Sequence, residues 1–299
     1  MAHTVGYCCI NMTLGKQGIT TGRTMRQATF KERGLSYVSE LATQNIQDLI
    51  KILEWNSQHD ITLFRMSSNL FPWNSEYELS QLPDHETHVE LLQRAGNIAL
   101  STNQRITAHP DHYVKLASEN ERVAKNAIHD LHHHNELFDI MGLPANHYHC
   151  LNIHVGQNFS EDVINRFIQR YHMLNDNTKK RLVVENDDKG NAFSVKQLYD
   201  NLHKAIDIPI TFDYFHHTFH EDSLTSEEAA TLSYSTWDCK PLFHYSESKN
   251  LNEHVEGNPR AHADYVFQRI DDYGLNIDVD LEAKAKELAY FKYIQLETL

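Results

Sequence analysis

The chain has 299 residues, 40% hydrophobic and 23% charged, a globular composition with enough apolar content for a full core. It excludes disordered, collagenous and disulfide-framework chains. Lys and Arg number 27 against 41 Asp and Glu, a net charge of −14, which argues against sequence-blind nucleic-acid binding by bulk charge but leaves room for a local basic patch.

No apolar run approaches the roughly 18 residues of a membrane span, and MAHTVGYCCINM at the start lacks a basic segment followed by a long apolar one. Neither a span nor a signal peptide is expected. Cys8, Cys9, Cys150 and Cys239 show no CxxC spacing and are expected to be reduced, in the cytoplasm. The length would allow two domains of about 150 residues or one long barrel. No repeat, low-complexity stretch or Pro/Gly-rich linker divides it, so one domain over residues 1–299 is expected.

The first candidate strand is Val5–Ile10. After it, Thr13–Gly34 carries Lys16, Arg23, Arg26, Lys31 and Arg33 against one acid, Glu32, interspersed with Gly15, Gly18, Gly22, Thr20, Thr21 and Thr24. It reads as a long mobile loop whose small residues allow close approach and whose cations meet phosphates. Thr43–Asn56 is a helix with Ile46, Leu49, Ile50 and Leu53 on one stripe. Strand Ile61–Met66, helix His88–Ser101, strand Arg105–His109 and helix Glu119–Met141 follow, the last stopped by Gly142 and Pro144. Then come strand Cys150–Val155, helix Glu161–Leu174, strand Arg181–Glu185, helix Val195–Ala205 and strand Pro209–Phe212. Helix Ser226–Ser233 has Ser226 as its candidate N-cap, ahead of Glu227 and Glu228. Strand Leu242–Tyr245, helix Ala263–Tyr273, strand Leu275–Val279 and helix Ala283–Ile294 end the series. Eight strands alternating with eight helices is the pattern of an α/β (β/α)8 TIM barrel, favoured by that count over an open doubly wound sheet.

Histidine is unusually frequent, at 21 residues. Its placement matters, because imidazole is the commonest metal ligand and barrel chemistry collects at the C-terminal strand ends. His109 closes the third strand, His154 the fourth and Glu185 the fifth. Asp213 closes the sixth, with His216 one turn on; His244 closes the seventh, and the last leads into Glu282. Six strands thus deliver His, Asp or Glu to one central cup. Imidazole plus carboxylate without thiolate suits zinc, manganese, iron or magnesium. So many ligands exceed the four of a single zinc, so two or three divalent ions are expected, with Glu185 able to bridge. Clustered cations in such a cup suit phosphodiester cleavage. By contrast, His132, His133 and His134 are consecutive in a helix, point in different directions and are read as structural. His112 and Tyr113 follow His109 on the loop above the barrel, either as plain surface or as a substrate probe.

These residues sit in motifs that resemble the UV damage endonuclease family, relatives of endonuclease IV. The motifs are GYCCIN at Gly6–Asn11, RMSSNLFP at Arg65–Pro72, AHPDHY at Ala108–Tyr113, NIHVG at Asn152–Gly156 and VVEND at Val183–Asp187. FDYFHH at Phe212–His217, HADY at His262–Tyr265 and DLEAKAKE at Asp280–Glu287 complete the order. The resemblance implies a multi-metal barrel, often with manganese, that cuts damaged double-stranded DNA immediately 5′ to a lesion and leaves 3′-hydroxyl and 5′-phosphate ends. It implies that His109, His154 and Glu185 hold one metal, that Glu185, Asp213, His244 and Glu282 share a second, and that His216 and His262 serve a third. It also implies that Tyr7, Asn11, His112 and Tyr113 contact the lesion, while Lys16, Arg23 and Arg26 of the basic loop are expected to grip DNA through its phosphates. Many relatives have Gln-Tyr where this chain has His112-Tyr113, and some have a modified lysine where this chain has Leu242. Lys240 lies two residues before Leu242 and is not assigned to the metals. No membrane and no obligate protein partner are implied. A divalent-metal sugar isomerase or epimerase, an abasic-site endonuclease and a damage-binding module with structural metals are the alternatives.

Overall fold

The apolar runs become strands because each can bury both faces, as parallel strands under a helical layer require. The computed structural model describes residues 3–298. Its strands are β1 Thr4–Cys9, β2 Leu63–Met66, β3 Arg105–Ala108, β4 Leu151–His154, β5 Leu182–Glu185, β6 Ile210–Thr211, β7 Leu242–Tyr245 and β8 Asp278–Leu281. All neighbouring pairs are parallel, in the order β6-β5-β4-β3-β2-β1-β8-β7. A parallel bridge between Asp213 and His244 joins the two ends of that order, so the expected TIM barrel is the fold. The His244 N–H donates to the Phe212 carbonyl at 2.9 Å across this seam.

The helices are α1 Met12–Gly15, α2 Gln27–Gln58, α3 His85–Ser101, α4 Glu121–Ile140, α5 Glu161–Tyr171 and α6 Asp176–Arg181. They continue with α7 Val195–Leu198, α8 Lys204–Ile206, α9 Tyr214–His217, α10 Ser226–Tyr234, α11 Lys249–Glu253 and α12 Glu287–Glu297. In α2 the stripe Ile46, Leu49, Ile50 and Leu53 is buried, as its spacing predicts. Asn120, Ser160 and Asn175 accept backbone N–H groups at the starts of α4, α5 and α6. Gly142, at φ 72, follows the end of α4 in the left-handed conformation that glycine adopts without strain.

Strand alternation explains the barrel interior. Arg105 on β3 bonds Asp278 on β8 at 2.9 Å, and Thr107 on β3 bonds Asp280 on β8 at 3.3 Å. Strands β3 and β8 are separated by β2 and β1, so these contacts pass through the middle of the barrel. A period of two then aims Arg105, Thr107 and His109 inward, and likewise Asp278, Asp280 and Glu282. Gly6 on β1 is needed for closure: a Cβ there would lie 2.3 Å from the Leu63 carbonyl oxygen.

Four expectations need correction. The basic segment is not one long loop, because α1 takes Met12–Gly15 and α2 starts at Gln27. Gly34, at φ 61 and ψ −157, breaks the helical path within α2. The last strand starts and ends later than the expected Leu275–Val279, after a turn with positive φ at Tyr273 and Gly274. Thr225 rather than Ser226 caps α10, exchanging hydrogen bonds with Glu228 in a capping box. Finally, 263–273 is irregular instead of helical. Its backbone donors are satisfied by other groups: the Glu247 carboxylate accepts from the Phe267 and Gln268 N–H groups, both at 3.0 Å, and the Tyr293 hydroxyl from Ile270 at 3.1 Å.

Candidate metal centre

The strand ends converge on one carboxylate. Glu185, at the end of β5, has His109 Nε2 at 3.2 Å and His244 Nδ1 at 3.1 Å from its Oε2. Its Oε1 has His216 Nδ1 at 3.2 Å and His154 Nε2 at 3.6 Å. The second focus is Glu282, just past β8, with His244 Nδ1 at 3.5 Å and His262 Nδ1 at 3.6 Å. Asp213 lies two residues past β6 and caps α9 through Oδ1, which accepts the His216 N–H at 2.7 Å. That division of labour leaves Asp213 Oδ2 buried with no hydrogen-bond partner.

Three groups could each hold an ion, their ligand atoms within 4.8 Å of one another: His109, Glu185 and His244; His154, Glu185 and His216; Asp213, His244 and Glu282. Seven of the eight expected ligands therefore meet, but they divide differently from the expected sets. His109 and His154 fall in separate groups, one on each oxygen of Glu185. His216 joins His154 instead of His262. His262 lies beside Glu282, its Nδ1 3.0 Å from the Glu282 carbonyl oxygen, outside the three groups.

Electrostatics follow from this crowding. Burial alone would raise the Glu185 carboxyl, yet His244, His154, His109 and His216 hold it well below the usual carboxylate range. Burial opposes the charge on His244, but Glu185 and Glu282 push it up to about 9. Burial likewise opposes His216, and Asp213 and Glu185 raise it well above the ordinary imidazole value. Asp213 is raised by burial, with Glu185 and Glu282 adding to the effect. Glu282 is lowered well below its ordinary value despite burial, chiefly by Arg65 and His244. Buried Glu185 Oε1, Asp213 Oδ2 and both ring nitrogens of His244 have no hydrogen-bond partner. Buried polar atoms left this way are costly. Mixed imidazole and carboxylate donors aimed at shared points therefore fit divalent cations.

Comparison with known proteins shows the family and the fold. A family model described as "UV-endonuclease UvdE" matches residues 3–299. The chain belongs to the UvdE family. It is 36% identical over 306 residues to the UV-damage endonuclease of Schizosaccharomyces pombe, covering 96% of this chain but 49% of that protein. The chain thus spans about half the length of that relative. It is 27% identical to the UV DNA damage endonuclease of Clostridium perfringens, covering 97% of this chain and 69% of that one. Among solved structures, SacUVDE matches with a TM-score of 0.85 and 30% identity, over 98% of this chain and 97% of that chain. Endonuclease IV from Thermus thermophilus has a TM-score of 0.56 at 14% identity, covering 84% of this chain and 95% of that one, and it shows a shared fold. The same holds for a D-psicose 3-epimerase from Clostridium cellulolyticum, with a TM-score of 0.54 at 13% identity, covering 77% of this chain and 78% of that one.

Other UvdE motif residues take varied places. His112 and Tyr113 are exposed on the loop after β3, next to the cup; Tyr113 is 45% exposed and donates to Asp130 Oδ2 at 3.3 Å. Tyr7 and Asn11, expected at the lesion, are both buried in this structure. Alternation on β1 turns Tyr7 outward under α2, where its hydroxyl donates to Asn56 at 2.7 Å and accepts from Asn11 at 3.0 Å. Asn11 in turn caps α1 by accepting the Leu14 N–H. Lys16 and Arg26 are exposed on 16–26. Arg23 is folded back, with its guanidinium 2.7 Å from Asp48, so its charge is already offset. Arg33 stacks on Tyr37. Lys240 bonds Asp278 and Thr4 at the N-terminal ends of the strands, far down the barrel from the cup.

The sequence reading missed four residues around the cup. Arg65 on β2 pairs with Glu282, and Asn152 donates to Glu185 Oε2. Asp187 lies 3.5 Å from His154 Nδ1, and Asp280 is 4.0 Å from His244 Nε2. Period-two alternation could have found two of them: Asn152 lies two before His154, and Asp280 two before Glu282. Asp187 follows β5 on a loop, where no periodicity applies. The mid-helix histidines are structural, as their spacing suggests. His134 pairs with Asp130 at 3.0 Å, His133 packs edge-on to Phe71, and His132 accepts the Asn175 N–H. The four cysteines are free. Among the described residues no helix is long and apolar enough to cross a membrane.

Proposed function

We propose that this chain is a divalent-metal-dependent DNA repair endonuclease that cuts duplex DNA immediately 5′ to UV photoproducts, leaving 3′-hydroxyl and 5′-phosphate ends. The observation that carries this reading is the convergence of three ligand groups on Glu185 and His244 at the mouth of a UvdE-family barrel. Residues 1–299 would act as one catalytic domain with no obligate partner.

His109, His154, Glu185, Asp213, His216, His244 and Glu282 would hold two or three ions, with His262 beside them. The imidazole and carboxylate donors suit zinc, manganese, iron or magnesium, and the family resemblance favours manganese among them. Bound there, such ions supply Lewis acidity toward the phosphate and lower the pKa of a water nucleophile. The protein's own side chains do the rest. Glu185 holds four imidazoles in place, and Arg65 fixes Glu282 and keeps it ionised. Lys16 and Arg26 would contact the DNA backbone, which fixes register without reading sequence. A lesion weakens local stacking, so a damaged step opens at lower cost than an intact one. His112 and Tyr113, exposed beside the cup, would fill the resulting gap by stacking.

The test is incision of a duplex carrying one pyrimidine dimer, with an undamaged control, in manganese and in chelator. Manganese-dependent cutting on the 5′ side, with ends that ligase and phosphatase assays read as 3′-hydroxyl and 5′-phosphate, is expected. Cutting only at an abasic site would replace the lesion assignment. No cutting of either duplex, with turnover of a ketose, would replace the reaction.

A further inference from the structure

We infer that the cleft beside the ligand cup is a phosphate subsite, in which Lys115 holds the backbone phosphate next to the scissile one on the damaged strand. The inference rests on the incision reading above and adds a contact that the ligand residues do not supply.

The cleft has a volume of about 280 Å³ and lies between the loops that follow β3, β4 and β5. One wall is the imidazole edge of the cup, His109, His154 and His216; Lys115, Gln157 and Lys189 line the remainder. The cleft is thus continuous with the place where a scissile phosphate would sit. Two of its carboxylates are engaged elsewhere: Asp111 accepts from Ser68 at 3.0 Å and Asp188 is 3.0 Å from Arg260, while Asp187 faces His154 of the cup at 3.5 Å. Among the described residues Lys115 has no ion pair, although the chain carries a large excess of acids.

Lys115 is also seated. Its stem lies on the bare backbone of Gly156, where a Cβ would come 3.1 Å from Lys115 Cγ. Gly156 has φ 70, so glycine is favoured there by backbone and by contact alike. A lysine with its stem packed and its ammonium free presents a point charge suited to a phosphate oxygen. Its place in the chain sets which phosphate it meets. One loop starts with the ligand His109, passes through the exposed pair His112 and Tyr113, and ends at Lys115. That loop is braced by Val114 N–H to the Asp111 carbonyl at 2.8 Å and by Tyr113 to Asp130. A strand with its cut linkage at the cup and its lesion at the probe pair therefore runs along the cleft, bringing the adjacent phosphate to Lys115.

The experiment measures binding of a dimer-containing duplex against salt for the native protein, Lys115→Gln, Lys115→Arg and a control, Lys125→Gln, on the exposed face of α4. Each is compared on the same duplex with one neutral methylphosphonate at the linkage adjoining the cut. Lys115→Gln is expected to weaken binding and to reduce the slope of log K against log salt by about 1. Lys115→Arg should restore the slope, and Lys125→Gln should leave it unchanged. The methylphosphonate should weaken the native protein as the substitution does, and should cost Lys115→Gln nothing further. Equal melting temperature and metal content confirm that Lys115→Gln is folded. An unchanged slope, or a methylphosphonate penalty undiminished in Lys115→Gln, overturns the subsite. Native protein that neither prefers nor cuts the dimer duplex overturns the incision reading instead.

Discussion

Asp213 and His244 both close the barrel and face the candidate metal centre. They form the bridge between β6 and β7, while Asp213 Oδ2 and the ring nitrogens of His244 are buried without hydrogen-bond partners in the cup. Strand β6 is only two residues long, so the seam has little ladder of its own. Asp213, just past it, must both cap α9 and face the cup. An aspartate does this with two oxygens, one for each task.

The two tasks should separate by mutation. Asp213→Asn keeps an oxygen to accept the His216 N–H, whereas Asp213→Ala removes the cap as well. Asparagine should fold near native stability yet bind metal poorly and lose incision. Alanine should lose about 0.5–2 kcal/mol more stability, the usual worth of an N-cap. Denaturant melts and metal analysis of both variants check this. Full metal content and activity in Asp213→Asn would remove Asp213 from the ligand set.

The sequence made the barrel legible because its strands carry short apolar runs and its helices a 3.6-residue stripe, as at Ile46, Leu49, Ile50 and Leu53. The cup was legible because its ligands stand at strand ends, where chain order maps directly onto space. What stayed hidden depended on tertiary partners. The helical pattern of 263–273 is overruled by Glu247, which is distant in the chain and takes two of its amide protons. Arg65 looked like an ordinary strand cation until Glu282 arrived across β1. Tyr7 and Asn11 were adjacent to the site in sequence, but alternation on β1 turns Tyr7 away from it, toward Asn56. The pairing of ligands into groups depended on which Glu185 oxygen each imidazole reaches, and spacing holds no information about that.

Metal should stabilise the fold as well as serve chemistry. Glu185, Asp187, Asp213, Asp280 and Glu282 crowd one cavity, and burial raises Asp187, Asp213 and Asp280. Manganese at 100 times its dissociation constant would add about 2.7 kcal/mol per site. For a chain of this size that is a rise in Tm of about 4 °C per site. Scanning calorimetry with manganese and with chelator measures it. Glu185→Gln should shrink the rise to what the Asp213, His244 and Glu282 group alone supports; an undiminished rise in that variant would place the ions elsewhere.

Asp187 should act through His154, whose Nδ1 it faces at 3.5 Å. A carboxylate behind a metal-binding imidazole fixes the ring and raises its basicity, and removing such a partner typically lowers metal affinity by about 10–100-fold. Asp187→Asn should therefore need more manganese to reach half-maximal incision while keeping its maximal rate. An unchanged manganese titration would show that Asp187 has no part in holding His154.

The exposed pair can be tested apart from the metals. Tyr113→Ala should weaken binding of the dimer duplex by about 1–3 kcal/mol, the usual worth of one aromatic–base stack. Binding of undamaged duplex should change much less. Tyr113→Phe removes only the hydroxyl held by Asp130, so it should retain the preference for damage. Equal losses on both duplexes would make Tyr113 a general surface contact.

A pH dependence away from the cup should come from Asp130 and His134. Burial alone would lower His134, but Asp130, 3.0 Å away, raises it above the ordinary 6.5. Burial alone would raise Asp130, but His134 and Asn74 lower it below the ordinary 3.8. The raised histidine contributes its full stability below 6.5 and loses it as pH rises through its folded value. The lowered aspartate contributes above 3.8 and loses its share as pH falls through its folded value. The pair is therefore at full strength between 3.8 and 6.5. His133 works in the opposite sense: burial pushes it down to about 3, so its share fades as pH falls below 6.5. The quantity to measure is thus the difference between native protein and His134→Gln. That difference should be about 3 kcal/mol near pH 5.5, as for other broken buried pairs, and should shrink steadily on the alkaline side. A difference that stays constant from pH 5.5 to 9 would show that His134 is neutral in the folded protein and only packs against Asp130.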